Sequence, residues 1–250
     1  MSIITELSQA GEALTRVYRN LTDADPFACP SVFLAESEKV IRYALRAGFR
    51  PVSVLMERRD LPRIGQLPLP QDLPVLCGSR EEVRQLTGYT LDRGFLCAME
   101  RPETMTVDAV CRDAGRIALL ENIPDPTDLG AVFRSAAALG IDGILIGPGC
   151  CDPLYRRCVR VSMGTVFQLP WTRINDPSDA DALGYPRLCL SQSPSDPPLP
   201  DSPWQSCPKL LIHLGANSGE CRYRIPLIPE TEPLNSAAES AVAFWMLRKP

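Results

Sequence analysis

Positive charge is in short supply: the 250 residues hold 26 Lys and Arg against 30 Asp and Glu, a net charge of −4. A chain so balanced does not hold a polyanion through its overall field, so any nucleic-acid contact falls to local basic patches. Histidine is almost missing. The one copy, His213, lies in the apolar run KLLIHLG without a serine or cysteine motif beside it, which places it in a core or at a strand end rather than in a nucleophilic triad. No run of about 18 apolar residues occurs, which excludes a membrane-spanning helix. Glu6 and Glu12 stand where a secretory signal is apolar, so a cytosolic protein is expected. None of the ten cysteines forms a C-x-x-C pair, which removes the usual metal and redox spacings and leaves buried free thiols. The G-x-G-x-x-G fingerprint of dinucleotide enzymes is also lacking.

What is present is ordinary globular composition, 45% hydrophobic and 22% charged. Residues 1–24 read as an amphipathic helical arm with Ile4, Leu7, Leu14, Val17 and Leu21 on its apolar side. Residues 25–105 then alternate: VFLA is a strand, Glu38 to Ala47 a helix closed by Gly48, and PVSVLM a strand. DLPVLC is a third strand, Ser79 with Glu82 caps the next helix, and GFLCAM is a fourth strand. This is a small α/β domain, in which Lys39, Arg42 and Arg46 form a basic stripe at helical spacing. Residues 101–113 read as a linker.

Residues 114–250 read as a second α/β domain, a mostly parallel sheet with helices on both faces. Ile117 to Glu121 is a buried strand with Asn122 at its carboxyl end. A helix follows, capped by Thr127 or Asp128 and ended by Gly140, with Leu129, Val132, Phe133 and Ala136 inward and Arg134 on another face. GILIG is the next strand, PLYRRCVRVS a short helix, and TVFQLP a strand. RLCLS and KLLIHLG form the last two parallel strands, joined by a proline-rich loop. Asn235 to Arg248 is a closing helix with Ala238, Val242, Trp245 and Met246 on one side. Ligands of open parallel sheets bind beyond the carboxyl ends of the strands, which gathers Asn122 and its loop at the functional rim.

The run N-I-P-D-P-T-D-L-G-A-V-F-R-S-A from Asn122 resembles the first signature of the SpoU (TrmH) family of S-adenosylmethionine-dependent RNA ribose 2'-O-methyltransferases. R-V-S-M-G at Arg160 to Gly164 with V-F-Q-L-P matches the second. L-G-A-N-S-G, I-P-L and L-N near the C-terminus match the third. The N-terminal outline, FLAESEKVIRYALRAGF, resembles the ribosomal-protein-like substrate domain that many members carry.

The resemblance implies a C-terminal trefoil knot that holds S-adenosylmethionine through main-chain groups at Gly215, Ile225, Leu227 and Leu234, with Ser191 on the same rim. It implies Arg134, Asn122 and Asn235 as catalytic residues, structured rRNA or tRNA as substrate, and Arg160 and Ser162 of the second signature as RNA contacts, while the spacing of Lys39, Arg42 and Arg46 suits RNA phosphates or a solvated helix face alike. It also implies a homodimer through the C-terminal domain, with no metal and no membrane. A guanidinium acting as neutral base at pH 7 costs about 7 to 9 kcal/mol, so an electrostatic role suits Arg134 better. The family pattern has asparagine where this chain has Asp128, glutamate at Asn217 and serine at Pro233. These departures leave a second reading open, a non-catalytic RNA-binding scaffold that keeps the fold.

Overall fold

The computed structural model describes residues 3–21, 31–92, 94–201, 203–215 and 221–249. The chain divides into two compact units, one of residues 1–103 with 154–167 and the other of residues 104–153 with 168–250.

The first unit is built on a five-stranded sheet of β1 (Ile3–Glu6), β2 (Val32–Glu36), β3 (Pro51–Glu57), β4 (Pro74–Gly78) and β5 (Phe95–Glu100), in the order β1-β4-β3-β5-β2. β1, β4 and β3 are parallel, whereas β5 runs antiparallel to β3 and β2. The arm expected as one helix is instead β1, a single turn α1 (Glu12–Thr15) and 3-10 turns. The β-branched run Ile3-Ile4-Thr5 favours a strand, and Gly11 interrupts any longer helix. Leu7, Leu14 and Val17 still pack inward, and Tyr18 is fully buried with its hydroxyl bonded to the Ser53 carbonyl at 2.8 Å. Burial pushes that phenol far above its ordinary pKa. Helix α2 (Glu38–Arg46) is capped by Ser37, and α3 (Arg80–Thr87) by the expected Ser79–Glu82 capping box.

The second unit begins inside the expected linker: Thr106 caps α4 (Val107–Cys111), whose Val110 and Cys111 are buried. Five residues are too few for the periodicity to show. Strand β6 (Arg116–Leu120) leads to α5 (Pro126–Ala138), capped by Asp125 with Pro126 at its first position rather than by Thr127 or Asp128. After β7 (Gly143–Ile146) the chain joins the first unit for α6 (Arg156–Val161). There Arg156 bonds Glu36 at 3.0 Å and the Leu21 carbonyl at 2.8 Å. The expected strand TVFQLP begins as a 3-10 turn, Thr165–Phe167, because Phe167 is drawn into a cluster with Phe33 and Phe49. The strand there is β8 (Trp171–Arg173).

β9 (Arg187–Ser191) and β10 (Leu210–Leu214) follow, and β11 (Arg222–Arg224) adds a further parallel strand beyond them. The sheet order is β11-β9-β10-β6-β7-β8, parallel throughout. Ile117, Leu119, Leu145 and Leu211 pack with α4 on one face. The alternate residues face α5, whose Phe133 meets Trp171 edge-on at 6.4 Å. The closing helix α7 (Ser236–Leu247) buries Ser240, Ala243, Phe244 and Leu247. This is not the face expected: its apolar residues surround the helix, so their spacing does not mark the inward side.

Arg116, 1% exposed, holds the end of α7. Its guanidinium donates to the carbonyls of Leu247 at 2.6 Å, Cys207 at 2.7 Å and Gln205 at 3.3 Å. Replacing it with methionine keeps much of the volume but removes every donor. Arg116→Met is expected to cost at least about 3 kcal/mol, since each buried carbonyl left unpaired costs about 1–3 kcal/mol. Urea unfolding checks this; an unchanged midpoint would remove Arg116 from the account of stability.

Candidate functional site

The carboxyl rim of the second sheet is stitched by main-chain bonds. Asn122, just after β6, has φ of +53°, and its N–H donates to the Pro148 carbonyl after β7 at 3.0 Å. Its side-chain amide donates to the Gly215 carbonyl after β10, also at 3.0 Å. Both neighbours must be glycine-like for this junction to close. Gly149 has φ of +74°, and a Cβ there would lie 2.5 Å from the Asn122 amide oxygen. Gly215 also has φ of +74°, and a Cβ there would collide with the Glu121 carbonyl. Beneath the rim, His213 is 2% exposed and bonds the Glu121 carboxylate through Nε2 at 2.6 Å. Burial holds its pKa below the ordinary value despite that carboxylate, so the neutral ring donates at neutral pH.

Two helices complete this end of the unit. Arg134 on α5 is exposed, and its guanidinium has no hydrogen-bond or ionic partner among the described residues. In the first turn of the same helix, Asp128 accepts from the Asn235 amide at 3.2 Å. Burial, then the nearby Asp125, raises the pKa of this acid. Asn235 also caps α7, accepting from the Ala238 N–H at 3.0 Å. One asparagine thus ties α5 to the start of α7.

A cleft of about 440 Å³ opens at the start of α7, where Leu234 and Glu239 line it; Asn122, Asp128, Arg134 and Asn235 are not among its lining residues. Ile225, Leu227, Leu234 and Ser191 all line it, whereas Gly215 is not among its lining residues and instead supports Asn122. The Ser191 hydroxyl is already engaged, donating to Asp196 and accepting from Arg222 at 2.8 Å, so its backbone is the part left for a ligand. The volume lies within the roughly 300–1,000 Å³ of small-molecule sites. Apolar walls for a heterocycle, main-chain groups for its polar edge and a few charged side chains fit S-adenosylmethionine. Residues 216–220, which include Asn217 and most of L-G-A-N-S-G, lie outside the described residues.

The expected RNA contacts fare unevenly, and all of them belong to the first unit. Lys39 and Arg46 are exposed on α2, with the Lys39 ammonium 5.9 Å from the Tyr43 ring centre. Arg42 pairs with Glu38 at 2.8 Å, so it presents less free charge than the stripe implied. Arg160 is half-buried. Ser162 is a correction: it is fully buried, its hydroxyl donating to the Val159 carbonyl at 2.9 Å and accepting from the Gly164 N–H. It closes α6, and its hydroxyl is not exposed for an RNA contact. The reading by spacing missed Arg224 and Glu239, which also line the cleft. Among the described residues no group of three metal-ligating side chains occurs.

The chain is similar to known RNA methyltransferases. The model of the SpoU rRNA methylase family matches residues 115–216. An uncharacterized tRNA/rRNA methyltransferase of Mycobacterium tuberculosis is 30% identical over 230 residues, 86% of this chain and 80% of that protein. The 23S rRNA (guanosine(2553)-2'-O)-methyltransferase RlmP of Bacillus subtilis is 25% identical over 240 residues, 87% of this chain and 89% of its own. The solved structure of an rRNA methyltransferase from Sinorhizobium meliloti with AdoMet bound has a TM-score of 0.79 at 19% identity, covering 98% of this chain and 97% of that one. AviRb from Streptomyces viridochromogenes, also solved with AdoMet, gives 0.74 at 19% identity, covering 94% and 97%. With a relative at this identity and coverage and the family model matched, the chain belongs to the SpoU rRNA methylase family.

Proposed function

We propose that this protein transfers a methyl group from S-adenosylmethionine to a ribose 2'-hydroxyl of structured ribosomal or transfer RNA. The observation that carries this reading is the exposed Arg134 guanidinium, without a partner among the described residues, on a helix whose Asp128 is bonded by Asn235 to the start of α7, where Leu234 and Glu239 line a cleft of cofactor size. The cofactor, when bound, supplies a methyl group made electrophilic by its sulfonium. This chain has to bring forward a ribose oxygen and stabilise the charge that grows on it. Arg134 suits both: its fork holds a phosphate bidentately, and its N–H groups stabilise a developing alkoxide. Asn122, locked by Gly215 and Pro148, supplies a fixed amide at the rim.

The domains divide the work in the same reading. The first unit, roughly the expected substrate domain with 154–167 added, presents Lys39, Arg46 and Arg160 to RNA phosphates. The trefoil knot belongs here as well; the chain passes β11 and then returns as α7 to pack on α5, which supports it. None of the described helices is long and apolar enough to cross a membrane; the RNA substrate would place the site of action in the cytoplasm.

Homodimerisation completes the proposal. Trp245 is 58% exposed and Val242 36% exposed on the outer side of α7, an apolar face a second copy would cover. Light scattering at micromolar concentration is expected to give twice 27.5 kDa, and the monomer mass alone would refute the dimer. Substituting the arginine separates charge from shape. Arg134→Lys keeps the charge but loses the planar fork, so turnover is expected to fall about 100-fold or more, with cofactor affinity nearly unchanged. Normal turnover in Arg134→Ala would take the residue out of the mechanism. Methyl incorporation and calorimetric cofactor binding, measured on the same preparations, separate these outcomes.

A further inference from the structure

We propose that Glu239 is the anionic anchor of the cleft, placed to receive the positive charge of the bound cofactor. The inference rests on reading the cleft as the S-adenosylmethionine site. Glu239, half-buried, stands one turn before Ala243 at the edge of the buried stripe of α7, next to Ser240. An acid on that stripe is normally paired, because a desolvated charge without a partner is costly. Here no hydrogen bond or ion pair engages its carboxylate among the described residues, and the side chain lines the cleft. Helix packing explains Ala243, Phe244 and Leu247. It does not explain a glutamate.

The charges around it define what it would bind. Arg224 on β11 lines the same cleft, donates through Nε to the Asp196 carbonyl at 3.0 Å, and forms no ion pair with Glu239. Glu230, on the turn after β11, also lines the cleft. On α5 the nearest acid is Asp128, held by Asn235, and the 3-10 turn Pro203–Ser206 against α7 carries no titratable side chain. Desolvation alone raises the Glu239 pKa, so the cleft holds an acid that a cation would help to ionise. Two groups on the cofactor answer that description, the α-ammonium of its amino-acid end and the sulfonium. The ammonium is shared with S-adenosylhomocysteine; the sulfonium is not.

Calorimetry of both compounds against the wild-type protein and Glu239→Gln tests the assignment. The amide keeps the shape and removes the charge, and S-adenosylmethionine affinity is expected to fall roughly tenfold to a hundredfold. An equal loss for S-adenosylhomocysteine assigns Glu239 to the ammonium, and a loss confined to S-adenosylmethionine assigns it to the sulfonium. Affinities within twofold of wild type for both would overturn the proposal. If the wild-type protein bound neither, the cleft itself would have been misread, a separate failure. The variant is expected to melt no lower than wild type, since a neutral amide costs less to desolvate than a carboxylate. A second arm needs no variant. Binding of a cation favours the ionised acid, so wild-type affinity should strengthen as pH rises through the raised Glu239 pKa; affinity flat from pH 4 to 8 would count against the anchor.

Discussion

Asn122 in the left-handed backbone region is the constraint on which the site depends. Its N–H and its side-chain amide reach the chain after two neighbouring strands, β7 on one side and β10 on the other. A left-handed non-glycine residue costs of order 1–3 kcal/mol unless its surroundings hold it, and here the two hydrogen bonds do. The neighbours that allow it, Gly149 and Gly215, have no room for a side chain. The rim is therefore over-determined: three strand ends fix one another, and the loops that carry the chemistry start from known positions. Below, the neutral His213 and the Glu121 carboxylate fill the polar space without placing a second charge there.

From this rim two helices carry the charges in opposite senses. α5 brings a cation, Arg134, to the surface, and α7 brings an anion, Glu239, into the cleft, each without a partner among the described residues. The Asp128–Asn235 bond joins the two helices, so a shift of the α7 side of the cleft would be felt at the helix of Arg134. Arg116 fixes the far end of α7 through carbonyls alone, which leaves its near end to be set by Asn235. Departure from the family pattern at Asp128 has thus not emptied the position. A carboxylate accepts from Asn235 where the family has an amide.

Much of this was legible in the sequence. β9 spans the expected residues, and the capping box at Ser79 needed only local chemistry. The first signature carried Asn122 and Arg134, and the third carried Ile225, Leu227 and Leu234, which line one cleft. What failed had tertiary causes. The arm became a strand because β4 offered Ile3–Glu6 a parallel partner, a contact no local pattern announces. Residues 154–167 joined the first unit because Arg156 finds Glu36 and Phe167 finds Phe33. Ser162 matched a signature yet proved to be a helix terminator, since motif membership does not distinguish a ligand contact from a bond that shapes the backbone. α7 is apolar nearly all round, so its half-buried acid was invisible until the packing was known.

The position of methyl transfer is reported by the chemistry of RNA itself. Alkali cleaves RNA through the free 2'-hydroxyl, so a methylated ribose leaves its phosphodiester intact. Purified protein is incubated with labelled S-adenosylmethionine and RNA from cells lacking the protein, and the RNA is then hydrolysed in alkali. The account predicts label in alkali-stable dinucleotides. Label in mononucleotides would place the methyl group on a base, and RNA left unlabelled by a protein that still binds it would mark a scaffold rather than an enzyme.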